Sequence, residues 1–360
     1  MAEAKPMTPD ELVKHPEYSH LIWDLKPAQR GKIAVAKSRG GPIDIAYEIH
    51  GHGDHRLVWI MGLGGMKYAW QRQTKDFAHS KADQYSSLVL DNRGIGESDK
   101  PLRRYSTSEM AKDVLEVLDQ VGWTGKRQLN VIGISMGGMI AQELAALDPS
   151  RINTLTLVST ASEIFNTSGF IENLRNRANF FIPKPLEKQI EGVKHNLYSD
   201  SYLVAPDTLE AVVSSFPTNG DRFAANEVWK REHPELFQKS TFILQLIAAG
   251  WHYKAPGDLL AMAEKVGKRR ILVIHGAKDR MITFPHGVVL WRGLEKGEGK
   301  TGREYVGMEV EEDVWEEGEV EKRFLKDQGH VVPIEMREEF AGWVEALVQR
   351  GVELNHSEGL

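Results

Sequence analysis

The chain contains no cysteine, so disulfides, thiolate nucleophiles and cysteine-ligated metals are excluded. It has no apolar run approaching the ~18–20 residues that a membrane-spanning helix needs. No long basic run occurs either, and 51 acidic residues outnumber 45 basic ones for a net charge of −6. That balance argues against nucleic acid and anionic membrane surfaces as partners. The opening residues (MAEAKPMTPDELVKHPEYSH) have no apolar h-region, and their acids do not suit a transit peptide. The final Glu358-Gly359-Leu360 matches a peroxisomal address only in its last residue. A cytoplasmic protein is the expectation. What is present is ordinary for a soluble enzyme: 41% hydrophobic and 27% charged residues over 360 positions, enough for one large core with an inserted subdomain.

The most informative stretch is residues 131–145, VIGISMGGMIAQELA, with Gly133-Ile134-Ser135-Met136-Gly137 inside it. The residues before it (Gln128 to Ile132) are short, apolar and β-branched, as in a buried strand. Those after it carry Met139, Ile140, Leu144 and Leu147 at helical spacing and stop at Asp148-Pro149. G-x-S-x-G between a strand and a helix requires a sharp turn that strains the serine backbone, and only small residues two positions away let strand and helix approach. Gly133 and Gly137 supply them. The same turn sets the Met136 N–H at a helix N-terminus, able to donate to a developing oxyanion. Ser135 is the candidate nucleophile.

Residues 1–30 read as an extension lying on the domain, with Thr8-Pro9-Asp10-Glu11 capping one short helix. Two partly alternating runs, 32–37 and 43–49, joined by Arg39-Gly40-Gly41-Pro42, make an antiparallel hairpin. Apolar strands follow at 56–61, 87–90, 128–132 and 154–158, with an amphipathic helix over 107–121 that places Met110, Val114, Leu115, Leu118 and Val121 on one face. Residues 162–268 hold no convincing strand; they are helical and rich in aromatics (Phe165, Phe170, Phe180, Phe181, Phe216, Phe223, Trp229, Phe237, Phe242, Trp251), which suits an inserted lid. Strands resume at 271–274 and 323–325, with helices at 285–294 and 333–348. The expected fold is α/β: a mostly parallel eight-stranded sheet with helices on both faces, its core formed by 31–161 and 269–350. The Glu-rich, Gly-broken residues 295–321 read as a solvated surface insertion, and 351–360 as a tail.

A serine hydroxyl is a poor nucleophile at neutral pH and needs a base that is itself oriented by an acid. His330 is placed for the base, after Lys326-Asp327-Gln328-Gly329 and just past the last strand. His275 ends a strand but comes too early, and Gly276 beside it suggests a packing or loop role. For the acid, Asp279 in Gly276-Ala277-Lys278-Asp279-Arg280 gives the chain order Ser…Asp…His; Glu163 is the competitor. The loop after the third strand, Gly62-Leu63-Gly64-Gly65, should give the second oxyanion donor, with the Leu63 N–H favoured and Gly64 the alternative. Gly62, Gly64 and Trp70 are the expected substrate contacts.

The succession strand-GLGG, DNRGIGESD, GISMGG, HGAKDR and GHVVP resembles the α/β-hydrolase fold superfamily, and most of all its serine esterase, lipase and iminopeptidase-like members with a helical cap. The likeness spans about residues 31–350. It implies Ser135 as nucleophile, Asp279 as acid, His330 as base and Leu63 with Met136 as oxyanion hole. It implies no cofactor, and in such relatives Asp91 to Ser98 is a structural loop whose turn Asp91 and Arg93 hold. Relatives often carry His-Gly where this chain has Met61-Gly62, a departure in the oxyanion loop itself.

Three other signals are set aside. His50-Gly51-His52-Gly53-Asp54-His55 matches a metal-binding H-x-H-x-D-H, but it runs straight into an apolar strand and reads as a turn, so no metal is expected. Gly299-Lys300-Thr301 follows a helix where a phosphate loop needs a strand. Gly62-Leu63-Gly64 and Gly94-Ile95-Gly96 lack the third glycine of a dinucleotide fingerprint. The expected activity is hydrolysis of a carboxylic ester, thioester or lactone of a small, moderately hydrophobic acyl substrate. Acyl transfer, carbon–carbon or peptide-bond hydrolysis, and a slow-turnover ligand receptor are the alternatives.

Overall fold

The computed structural model describes residues 5–165, 167, 185–299 and 317–360. Phe170, Phe180, Phe181 and most of the acidic stretch 295–321 lie outside these. Helix α1 (Pro9–Lys14) starts at Thr8, whose hydroxyl accepts from the Glu11 N–H while Glu11 reciprocates, a capping box. Then come β1 (Gln29–Val35), β2 (Ile43–Gly51) and β3 (His55–Ile60), α2 (Gln71–Ala78), β4 (Tyr85–Leu90) and α3 (Thr107–Gln120). They are followed by β5 (Leu129–Ile134), α4 (Met136–Leu147) and β6 (Ile152–Val158). Helices α5 (Leu186–Leu197), α6 (Asp200–Val204), α7 (Asn219–Glu232), α8 (Lys239–Gly250) and α9 (Pro256–Val266) precede β7 (Ile271–Gly276). The chain finishes with α10 (Phe284–Lys296), β8 (Glu321–Leu325), α11 (Val332–Glu335) and α12 (Arg337–Ser357).

The eight strands form one sheet in the order β1-β2-β4-β3-β5-β6-β7-β8. β2 runs antiparallel to β1 and β4, and every other pairing is parallel. Strands β4 to β7 are buried at every position, which is why their sequences are apolar rather than alternating. One face is covered by α3, α4, α9 and α10 through Val114, Leu118, Met139, Leu144, Met262 and Leu290. On the other, Trp59 packs with Phe77 of α2 and Phe340, Val344 and Leu347 of α12.

Three segments are placed differently from the sequence reading. Helix α9, assigned to the lid, packs Leu259, Met262, Ala263 and Val266 into the sheet's own core. A Cβ on Gly293 of α10 would sit 2.5 Å from Leu259 Cδ1, so a glycine lets the two helices close up. Helix α9 therefore packs as part of the core layer, beside α10. Residues 351–357 continue α12 rather than forming a tail, because buried Arg270 donates to the Gly351 carbonyl (3.1 Å) and pairs with Glu358 (2.9 Å). The described ends of the acidic stretch are anchored: Lys296 closes α10, and the Val320 carbonyl accepts from Trp291 Nε1 (2.8 Å).

The N-terminal extension lies on the insertion as much as on the core. Leu12 and Leu21 share an apolar cluster with Ile190, Phe216, Ala225 and Val228. The carboxylate of Glu17, which is 0% exposed, accepts the Val212 and Val213 N–H groups at 2.9–3.0 Å. At its other end Gln71 of α2 accepts from the Trp23 N–H and donates to the Leu21 carbonyl, both at 2.9 Å. Among the described residues no helix is long and apolar enough to cross a membrane.

Candidate active site

Ser135 stands between β5 and α4 at φ 58°, ψ −126°, in the left-handed region. The turn is held by its own backbone: Ser135 N–H donates to the Val158 carbonyl (2.9 Å), and its carbonyl accepts from Gly138 N–H (2.9 Å) and Thr160 Oγ1 (2.7 Å). A Cβ on Gly133 would lie 2.3 Å from the Gly137 carbonyl, and one on Gly137 would lie 2.2 Å from the Ile60 carbonyl. Neither position tolerates a side chain, for the reason the motif gives. Gly62 comes up against the serine, since a Cβ there would lie 2.9 Å from Ser135 Cβ and 3.4 Å from its Oγ.

Asp279 and His330 meet although they lie 51 residues apart. His330 Nδ1 is 2.7 Å from Asp279 Oδ2, with both side chains buried. Asp279 Oδ1 also accepts the Met281 and Ile282 N–H groups at 2.8 and 2.9 Å. Burial alone would raise this carboxyl, but His330 beside it and hydrogen bonding from His275 and His330 hold it well below the usual carboxylate range. It is a fixed anion at hydrogen-bond distance from His330 Nδ1, a contact that orients the imidazole. The His330 loop is pulled onto β7 at Gly276, where a Cβ would meet the Gln328 carbonyl at 2.3 Å, and the His330 N–H donates to the Leu197 carbonyl at the end of α5 (2.8 Å). Among the described residues no hydrogen bond joins Ser135 Oγ to the imidazole; such bonds are often long without substrate and tighten in the complex.

Leu63 and Met136 present backbone N–H groups that make no hydrogen bond among the described residues. The alternative donor, Gly64, is already committed: its N–H donates to Gln245 Oε1 of α8 (3.0 Å). Gln245 Nε2 in turn donates to the Arg93 carbonyl (2.9 Å), and Thr241 Oγ1 to the Gly94 carbonyl (2.7 Å). Asp91 accepts the Lys67 and Glu97 N–H groups (2.7 and 2.9 Å), while Arg93 reaches past its own turn to Asp113 of α3 through two bonds (2.5 and 2.6 Å).

Trp70, expected against substrate, is instead 2% exposed, with its ring 5.0 Å from Trp59 inside the apolar cluster under α2 and α12. A segment unread in the sequence, the turn at Lys67–Trp70 leading into α2, drives it there. Glu163 forms an isolated bridge with Tyr253 and no bond to His330. The histidine run is dispersed: His50 faces His79 (3.0 Å), His52 pairs with Asp83 at the surface, and His55 packs on Tyr85. Among the described residues no group of three or more His, Asp or Glu could hold a metal ion. A cavity of about 240 Å³ lies between the N-terminal segment and the core, lined by Trp23, Glu48, Lys67, Asp91 and Trp229, and touches neither Ser135 nor His330. Two more residues belong here: His275, read in the sequence as a packing or loop histidine, and Gln245, which the sequence reading did not single out. His275 Nε2 lies 2.7 Å from the Ile282 carbonyl and 3.4 Å from Asp279 Oδ2, a contact hinted at by the four-residue spacing to Asp279. Gln245 gives only the hint of one amide in the apolar run FILQLIAA.

The fold agrees with what the chain is similar to. It is 26% identical over 246 residues to a dihydrolipoyllysine-residue acetyltransferase component of the acetoin cleaving system of Cupriavidus necator, covering 68% of this chain and 57% of that one. It is 32% identical over 123 residues to the 3-oxoadipate enol-lactonase 2 of Acinetobacter baylyi, covering 34% of this chain and 43% of the lactonase. The matched stretches thus span only about half the length of these curated relatives. A thermophilic esterase from Thermogutta terrifontis shares the fold at 19% identity, with a TM-score of 0.60 over 90% of this chain and 99% of the esterase. The alpha/beta hydrolase fold family model matches residues 56–306, from β3 through Ser135 and Asp279 but ending ahead of His330. With more than half its length matched and the same sheet beneath it, this chain belongs to the α/β-hydrolase fold family.

Proposed function

We propose that the protein is a serine hydrolase that cleaves a carboxylic ester, thioester or lactone through an acyl-enzyme, without a cofactor. Ser135 Oγ attacks the acyl carbon while His330 Nε2 takes its proton. Asp279 holds the imidazole tautomer and stabilises the imidazolium, and the Leu63 and Met136 N–H groups receive the oxyanion. His330 then returns the proton to the leaving group. Water, deprotonated by the same nitrogen, attacks the acyl-serine and releases the acid.

The observation that carries this reading is the buried Asp279–His330 bond at 2.7 Å, reached in the chain order Ser…Asp…His from separate strand ends. Loop aspartates ordinarily cap turns, and Asp279 does so with Oδ1, yet its other oxygen is spent on a histidine. The enol-lactonase among the relatives supports keeping lactones in the substrate class. The aromatics on the insertion, with Phe237 and Phe242 near Gly64, favour a moderately hydrophobic acyl group.

The test is hydrolysis of a short-to-long p-nitrophenyl ester series by wild type and Ser135→Ala. A loss of about 10³-fold or more in the variant is expected. Equal rates in both proteins would remove Ser135 as nucleophile. Adding a competing alcohol and analysing the products separates hydrolysis from acyl transfer.

A further inference from the structure

Helix α8 reads KSTFILQLIAAG, and two of its polar side chains, Thr241 and Gln245, stand one turn apart on a single face. Both are fully buried. A buried amide is costly unless its donor and acceptor are both used. Those of Gln245 are, and both partners are backbone groups of the loops that build the site. Its Oε1 accepts from the Gly64 N–H (3.0 Å), and its Nε2 donates to the Arg93 carbonyl (2.9 Å). Gly64 sits at φ +65°, and a Cβ there would lie 3.0 Å from the Phe242 ring and 3.2 Å from Phe237. The next N–H, of Gly65, folds back to the Gly62 carbonyl (3.1 Å). The peptides that follow Leu63 are thus fixed on one side by the loop itself and on the other by a side chain 181 residues away.

We infer that Gln245 is a positioning residue for the oxyanion hole: it clamps Gly64 against the Arg93 carbonyl so that the Leu63 N–H stays set for the developing charge. This rests on the serine-hydrolase reading above. It makes the roof helix part of the catalytic apparatus without contact between Gln245 and substrate. Displacing Gln245 would release Gly64 and loosen the hole.

The experiment uses the full chain with p-nitrophenyl butyrate and an alkyl trifluoromethyl ketone, which forms a hemiketal oxyanion with an active serine. In Gln245→Met, kcat should fall about 10- to 100-fold with KM within threefold, since removing a hole donor outright costs about 10²–10³-fold and here the donor is only misplaced. Affinity for the ketone should fall in parallel with kcat/KM. Gln245→Glu, which keeps the acceptor for Gly64 and loses the donor to Arg93, should fall at least fivefold in kcat. Thr241→Val, which removes the neighbouring bond to the Gly94 carbonyl and a longer one to the Gln238 carbonyl but leaves Gly64 held, should keep kcat within twofold. The inference is overturned by an unchanged kcat in Gln245→Met, by a change in KM alone, or by an equal loss in Thr241→Val. If Gln245→Met does not fold, an unchanged kcat in Gln245→Glu overturns it instead. Ser135→Ala is run alongside. Hydrolysis surviving there removes the serine-hydrolase reading itself, whereas its loss there with a normal Gln245→Met removes only the role of Gln245.

Discussion

Ser135, Asp279 and His330 follow β5, β7 and β8, and β5 and β7 are buried at every position between helical layers. The helices above them are made differently. Helix α8 exposes Ile243, Leu246 and Ile247, and Trp251 after it is 70% exposed. That roof meets the floor through a few separable contacts: Gln245 and Thr241 on the loops, the Leu197 carbonyl on His330 N–H, and Leu244, Ala248 and Ala249 of α8 against the core cluster. Its far side is held by the N-terminal segment through Glu17 and the cluster around Phe216. A floor fixed by strand pairing holds atoms to a geometry, and a roof fixed by separable bonds can be tuned piece by piece. Changes in the floor should therefore appear in kcat, and changes in the roof, Gln245 at the oxyanion loop apart, in stability and substrate range.

The largest expected effect tests the floor. Asp279→Asn removes the anion that sets the His330 tautomer while keeping the shape, and kcat should fall about 10³- to 10⁴-fold. Circular dichroism and thermal melting should show the fold retained. A variant with normal kcat and a raised KM would break the division between floor and roof at its strongest point.

Glu17→Ala is the counterpart in the roof. The carboxylate is fully buried and satisfies backbone N–H groups of residues 212 and 213. Leaving those donors unpaired should cost about 2–3 kcal/mol in urea unfolding. With ester substrate, kcat should stay within threefold. A hundredfold loss of kcat in a folded variant would make the N-terminal segment part of the floor instead.

A smaller effect depends on pH. Burial, with Lys254 nearby, pushes the His252 imidazole down to about 3, and its Nδ1 is 2.9 Å from Thr107 Oγ1 on α3. Below the unfolded value near 6.5 the unfolded chain takes up a proton that the folded one refuses. Stability is therefore unaffected by this group above neutrality and falls as pH drops from about 6.5 toward 3, by up to ~1.4 kcal/mol per pH unit. His252→Gln abolishes that proton uptake, so its stability deficit against wild type should narrow between pH 7.5 and pH 5. A constant deficit across that range would show that His252 does not remain neutral in the fold.

The same division explains what could be read from the sequence. The Ser135 turn, the β1–β2 hairpin and the face of α3 are local: a few residues of pattern and two small side chains settle each one. Asp279 and His330 were legible because their positions after particular strands follow from strand order, itself a sum of local readings. Nothing local marks Gln245 as the partner of Gly64, or Glu17 as the cap for residues 212 and 213, since these pairs lie 181 and 195–196 residues apart. The packing of α9 on the core was not legible for a related reason. The periodicity of α9 shows that it buries a face but not which neighbour takes it, and that depended on Gly293 of α10.

Trp70 gives the finest test, because reasoning from the sequence and from the structure disagree about it. A large aromatic shortly after the oxyanion loop invites assignment to substrate, yet its ring packs against Trp59, and its indole N–H is buried without a hydrogen-bond partner among the described residues. Trp70→Phe loses packing area but also removes that unsatisfied donor, so the two effects oppose each other. The net change in stability should stay within about 1.5 kcal/mol. Specificity across the p-nitrophenyl ester series should be unchanged, with kcat/KM within twofold at every chain length. A selective loss on long-chain esters would place the acyl group against Trp70 and would mean that substrate reaches between the loop and the α2 side of the sheet. A uniform profile would leave Trp70 as part of the floor's support and direct the search for specificity to Phe237 and, on α8, Phe242, both near Gly64.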